Sequence, residues 1–109
     1  MAKSDYVLCM TTVNNEKSVD KIINSVLSKR LCACVNIIYD VESFYHWRGK
    51  IKQDTEQMLL FKTKKHLVEE LKKDVLINHS YEVPEFVAIP FIDGGMHFFS
   101  WIDREVKPE

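Results

Sequence analysis

From Cys32 to Trp47 the sequence alternates between apolar and mixed positions for 16 residues. Ala33, Val35, Ile37, Tyr39, Val41, Tyr45 and Trp47 form one face, with Ser43 its only polar member. Cys34, Asn36, Ile38, Asp40, Glu42, Phe44, His46 and Arg48 form the other. A period of two is the signature of a β-strand. At about 3.3 Å per residue such a strand reaches roughly 53 Å, whereas a compact chain of 109 residues is roughly 34 Å across. The strand overshoots its own domain, and its apolar face continues to the far end. Large uncovered apolar patches are rare on monomers, so the sequence predicts that further copies of the same chain cover the ribbon in a homo-oligomer.

The surrounding elements follow from shorter patterns. Gly49-Lys50 is a turn signal, and Ile51 to Thr63 reads as the returning strand, apolar at Met58-Leu59-Leu60-Phe61 and polar toward the tip. A two-residue turn there sets Trp47 opposite Lys52, Tyr45 opposite Asp54 and Ser43 opposite Glu56. Tyr6 to Met10 is a short apolar run suited to a central strand. After Asn14-Asn15, both suitable caps, Val19, Ile22, Ile23, Val26 and Leu27 make the stripe of an amphipathic helix. Leu67, Leu71 and Val75 predict a second helix over Lys64 to Ile77. A loop follows over 78–85, then a strand over Phe86 to Ile89, placed at a sheet edge by Pro90, which has no donor. Met96 to Ile102 reads as a short terminal helix. The order β-α-β-β-α-β plus a terminal helix is the ferredoxin-like split βαβ arrangement of an α+β domain, one domain over 1–109.

Composition narrows the function. Fifteen Lys and Arg against 16 Asp and Glu give a net charge of −1, which supplies no general field for nucleic acid or membrane. Neither partner is expected. Three cysteines cannot all pair, and Met1-Ala2-Lys3-Ser4-Asp5 lacks the apolar core of a signal peptide. The expectation is a reducing, cytoplasmic setting. With three glycines there is little loop to cradle a phosphate, and the chain has no G-x-S-x-G, H-E-x-x-H or C-x-x-C motif. Neither an enzyme nor an organic cofactor is expected.

Among the four histidines, His66 reads as helix surface, His46 lies near the hairpin tip and His97 opens the last helix. His79 stands in a loop with Tyr81, Glu82 and Glu85, where imidazole, phenol and carboxylates can converge on a cation or polar substrate. A solvated loop histidine, with Glu85 as a cap, is the competing reading. Cys32 and Cys34 read as small buried hydrophobes, and so does Cys9 unless an imidazole approaches it. Tyr45 and Trp47 sit beside charges at the ribbon tip and read as interface anchors rather than pocket walls.

Several segments together resemble the CutA family of divalent-cation tolerance proteins. They are Leu31-Cys32-Ala33-Cys34-Val35-Asn36, Ser43 through Lys50 with its Ser-x-Tyr-x-Trp-x-Gly-Lys pattern, Glu56, Lys62-Thr63, His79 with Tyr81-x-x-Pro84-Glu85, and Gly94 leading to Trp101. The resemblance implies a ferredoxin-like homotrimer with long hairpins packed between subunits and clefts at the interfaces, where Tyr45, Trp47 and Tyr81 belong. It implies tolerance of divalent metals, copper especially, and a metal site around Cys9 and His79. A thiolate with one imidazole needs further ligands, for which Glu85 or a neighbouring subunit is the candidate source. Ser80 stands where the family has Pro, and Asn78 where some members have a second His. Two other readings stand beside the metal-binding trimer. One is a regulatory module of the PII type that binds a small molecule between subunits. The other is an enzyme using His79, Tyr81 and Glu85.

Overall fold

The computed structural model describes residues 5–109. The signal-peptide reading of Met1 to Ser4 falls outside the described residues. The elements are β1 (Tyr6–Val13), α1 (Glu16–Ser28), β2 (Cys34–Trp47), β3 (Lys50–Lys64), a single 3₁₀ turn (Lys65–Leu67), α2 (Val68–Asn78), β4 (Val87–Pro90) and α3 (Met96–Glu105). The four strands form one antiparallel sheet in the order β2-β3-β1-β4. This is the expected split βαβ arrangement, with α1 and α2 on one side.

Each helix buries the face its sequence pattern assigns to the core. In α1 the Asn15 side chain accepts the Ser18 N–H at 3.0 Å, which satisfies one of the free donors of the first turn. Val19, Ile22 and Val26 are buried below it. Arg30 then turns left-handed at φ 54 and ends the helix. Leu67, Leu71 and Val75 of the second helical segment are also buried. β3 runs on through Lys64, so α2 begins later than its sequence pattern suggests. The two helices are tied by the Lys29 ammonium on the Asp74 carboxylate at 2.6 Å. Beneath them lie Val7, Cys9, Val13, Leu59 and Phe61 of the central strands.

The ribbon differs from the sequence expectation in two ways. Its turn residues are Arg48 and Gly49, both left-handed at φ 50 and φ 80, the conformation that matches the twist of a two-residue hairpin. Trp47 therefore pairs with Lys50, Tyr45 with Lys52 and Ser43 with Asp54. Moving the turn by one residue shifts each partner by two, so these side chains keep the face they were assigned.

The second difference changes a face. Ile38 pairs with Met58 but Val41 pairs with Glu56, so Tyr39 and Asp40 stand against Gln57 alone, and Asp40 is left-handed at φ 57. This is a β-bulge. Before it, Val35 and Ile37 pair with Phe61 and Leu59 and pack on the core. Beyond it, Val41, Ser43, Tyr45 and Trp47 lie on the side of the sheet away from α1 and α2, with Glu56, Asp54 and Lys52. The apolar face of β2 that looks continuous in sequence is two faces in the fold. The long axis is 46 Å and the radius of gyration 14.6 Å, in keeping with a ribbon that outruns a compact body.

β4 is an edge strand with β1 as its neighbour, and Pro90 ends it. α3 folds back over the Tyr6 end of the sheet. Phe99 stacks on Tyr6 with centroids 4.0 Å apart, and the Tyr6 hydroxyl donates to both Asp103 oxygens at 3.0 and 2.8 Å. Lys64 pairs with the same carboxylate at 2.8 Å.

Candidate functional site: a cleft between ribbon and loop

The segment after α2 crosses from the helix side of the sheet to its open face. His79 caps α2 and points its ring at the end of β1, where Nε2 lies 2.9 Å from the Thr12 carbonyl. The Tyr81 N–H donates to Nδ1 at 3.1 Å. A carbonyl accepts and an amide donates, so the ring is neutral with its proton on Nε2. Burial holds its pKa below the ordinary histidine value, against the Thr12 contact and the Glu56 charge. At the far end of the loop the Thr11 hydroxyl donates to the Glu85 carbonyl at 2.6 Å.

So anchored, Tyr81 reaches the open face and donates its hydroxyl to Glu56. Glu56 is only 6% exposed. Toward the tip, the Tyr45 hydroxyl donates to Asp54. Burial, then the Glu56 hydrogen bond and charge, push the Tyr81 phenol far above its usual range. The Asp54 hydrogen bond leads in pushing Tyr45 up to about 12. At the rim Arg48 lies 5.3 Å from the centre of the Trp47 ring and pairs with Glu82 at 3.1 Å. Ribbon and loop together flank an open cavity of about 880 Å³, lined among others by Tyr45, Trp47, Asp54, Glu56, Tyr81 and Glu85.

The residues singled out in the sequence divide between two places. Tyr45, Trp47, Tyr81 and Glu85 meet in the cavity. Cys9 is elsewhere: it lies between Phe61 and Ala88 on the helix side, fully buried, and burial pushes its thiol up to about 12. Cys32 is also buried as expected and its thiol is likewise pushed up to about 12, by burial first and then by Cys34 and Cys9. Cys34 is half-buried, and all three thiols are free. His46 is exposed on β2, His97 is exposed on α3, and the His66 ring contacts the Lys107 carbonyl.

Among the described residues no three His, Cys, Asp or Glu side chains converge at metal-ligand range. A thiolate-imidazole centre on Cys9 and His79 does not fit this chain. It would need a deprotonated buried thiol and a ring nitrogen free of the backbone. Sequence reasoning named Asp54 and Glu56 as partners across the ribbon, and Glu56 as part of the family pattern, but not as site residues. Their signal was positional: two acids at alternate positions of the polar half of β3, facing the ribbon's aromatics.

The chain matches the profile of the CutA1 divalent ion tolerance proteins over residues 7–105. It belongs to that family. It is 37% identical over 101 residues to the chloroplastic CutA protein of Arabidopsis thaliana, covering 93% of this chain and 56% of that one. It spans little more than half the length of that plant relative. It is 38% identical over 93 residues to the divalent-cation tolerance protein CutA of Thermus thermophilus, covering 85% of this chain and 90% of that one. The crystal structure of CutA1 from Oryza sativa superposes with a TM-score of 0.90 at 34% identity, covering 95% of each chain. The split βαβ core with its long ribbon is thus a CutA1 fold.

Proposed function

We propose that the protein works as a cytoplasmic homotrimer in the cell's tolerance of divalent metal ions, binding copper or another divalent ion in clefts between subunits and catalysing no reaction. The observation that carries this is the uncovered open face. Ile38, Val87 and Ile89 remain 47%, 40% and 47% exposed there, beside half-buried Leu8, Met10, Met58 and Leu60. The outer edges of β2 and β4 have no strand partner among the described residues. Apolar faces and open edges of this kind are ordinarily covered. Three copies is the number that the family resemblance implies. Three unpaired thiols favour a reducing compartment.

An ion in the cleft would be held by oxygen donors, with each subunit giving one or two carboxylates from among Glu56, Asp54 and Glu85 and a neighbouring subunit completing the set. Such donors suit hard and borderline divalent ions better than Cu(I). Light scattering on the purified protein gives the assembly, and calorimetric titration with Cu²⁺ and Zn²⁺ gives the site. Saturable binding kept in Cys9→Ser and weakened at least tenfold in Glu56→Gln is the expected result. No saturable binding below the millimolar range in the wild type would reject direct ion binding.

The size of the cavity favours a second reading, a regulatory module that takes a small molecule in the cleft. Small-molecule sites typically occupy about 300–1,000 Å³, and aromatic rings line this one. A ligand that binds only the folded state raises the melting temperature. A metabolite and nucleotide panel that leaves the melting temperature unmoved removes this reading.

A further inference from the structure

We propose that His79 is a positioning residue and not a metal ligand: it pins the 79–85 loop to the end of β1 and so holds the Tyr81 hydroxyl on Glu56. The inference goes beyond the ion-binding reading and rests on it only for one arm of the test.

Both ring nitrogens are committed to main chain. Nε2 carries the proton toward the Thr12 carbonyl at 2.9 Å, and the Nδ1 lone pair takes the Tyr81 N–H at 3.1 Å. A metal needs a ring lone pair. The only one available already holds the residue whose phenol reaches the cleft. Ligation at Nδ1 would release the Tyr81 backbone, and ligation at Nε2 would remove the proton that anchors the ring to β1. Cys9, the implied second ligand, pairs across the sheet with Phe61 and Ala88 and is fully buried.

The ring is also where the loop most needs a fastener. Ser80, unlike a proline, leaves the backbone after His79 free to rotate, and Ser80 is exposed. Asn78 is occupied in closing α2, donating from Nδ2 to the Asp74 carbonyl at 2.8 Å. The next hydrogen bond from the loop to β1 comes at Glu85, through Thr11. Between Asn78 and Glu85, then, the loop is held to β1 through the imidazole. The His79 and Tyr81 rings lie 4.7 Å apart, so a shift of one carries to the other. Glu56 is the carboxylate that bears on both: its charge acts on the His79 ring and its oxygen accepts from Tyr81.

Nitrogen NMR of the protein labelled at histidine reads the tautomer directly, with His46, His66 and His97 as internal references. The expected result is a neutral His79 ring protonated at Nε2, whose signals stay in place when one equivalent of Zn²⁺ is added. In parallel, the Tyr81 ring signal, assigned by Tyr81→Phe, is compared in His79→Gln and His79→Leu. Glutamine has an amide oxygen to accept from Tyr81 and an amide N–H to donate to Thr12. It should keep the Tyr81 signal near its wild-type position, while leucine moves it toward that of a solvent-exposed tyrosine. A ring protonated at Nδ1, or Zn²⁺ shifting His79 stoichiometrically while Tyr81 stays in place, would overturn the proposal. The wild-type measurements decide the matter even if the leucine variant does not fold. If Zn²⁺ fails to bind anywhere, the ion reading of the cleft falls, and the tautomer with the glutamine and leucine comparison still judges His79.

Discussion

The hydroxyl of Tyr81, in the loop after α2, donates to the carboxylate of Glu56 on β3, tying the loop to the root of the projecting ribbon. Tyr81 is the one hydrogen-bond donor that Glu56 finds among the described residues, and Glu56 is nearly all buried. Removing it in Tyr81→Phe strands a buried charge, a loss of about 1–3 kcal/mol. Glu56→Gln retains an acceptor for the phenol and should cost less. Urea unfolding of the two variants gives the order. A Tyr81→Phe protein as stable as the wild type would mean that water already satisfies this carboxylate.

The same bond has an alkaline signature. The folded state raises the Tyr81 phenol far above its free value of 10, by burial first and then by Glu56. The folded chain therefore keeps a proton that the unfolded chain releases. This contribution to stability is complete below about pH 10 and declines as the pH rises beyond it. Absorbance titration should lose its most alkaline tyrosine step in Tyr81→Phe.

The lock on α3 responds to acid. Burial of the Asp103 carboxyl pushes its pKa up, but the hydrogen bonds from Lys64 and Tyr6 outweigh burial and leave it below the usual aspartate range. A depressed carboxylate stabilises the fold above its unfolded value near 3.9, and this part is lost as the pH falls through the lower folded value. Asp103→Asn should flatten the acid limb of the stability profile and cost about 1–3 kcal/mol at neutral pH. Tyr6, raised to about 12 by burial first and then by Asp103, gives the opposite limb, stable below pH 10 and weakening toward 12. Melting temperatures across pH test both limbs.

Much of this fold was legible because local signals agreed with one another. Asn15 before the Val19, Ile22, Val26 stripe, Gly49 at the hairpin and Pro90 at the edge each name one element, and the structure has each in place. The bulge was not legible. Tyr39 and Asp40 continue the alternation without a break, and Asp40 carries no glycine-like sign of its φ of 57. What decides the bulge is pairing with β3, which a single strand's pattern does not encode. The site was legible in part for a similar reason. Tyr81, Tyr45 and Trp47 announce a polar aromatic cluster, but it takes the fold to separate Cys9 from His79 by burying it under the helices.

The bulge makes its own prediction. Asp40→Gly removes a left-handed side chain and should leave stability equal or up to about 1 kcal/mol higher, whereas Asp40→Val should cost about 1–2 kcal/mol. Deleting Asp40 forces one half of β2 to present the wrong face. Either Val35 and Ile37 leave the core or Tyr45 leaves Asp54. Circular dichroism melts together with light scattering should find the deletion both less stable and less well assembled. If it assembles as the wild type does, the bulge does not set the two faces.

Two adjacent glycines, Gly94 and Gly95, offer a matched pair for testing how α3 docks. A Cβ on Gly94 would stand 2.6 and 2.7 Å from two atoms of the Phe99 ring, while one on Gly95 meets its nearest neighbour at 3.9 Å. Contacts under 3.0 Å must be relieved by movement. Here the obstacle is an aromatic ring stacked on Tyr6 at 4.0 Å and packed near Phe91 at 6.1 Å. Gly94→Ala should therefore displace Phe99, weaken the Tyr6 stack and cost about 1–3 kcal/mol. Gly95→Ala, at the cap of α3, should cost about 0.5–1 kcal/mol, the difference between those residues at an N-cap, and leave the Phe99 stack in place. Near-ultraviolet circular dichroism reports the aromatic packing, and urea unfolding reports the energy. Equal behaviour of the two variants would mean that the loop before α3 yields more readily than the ring it touches.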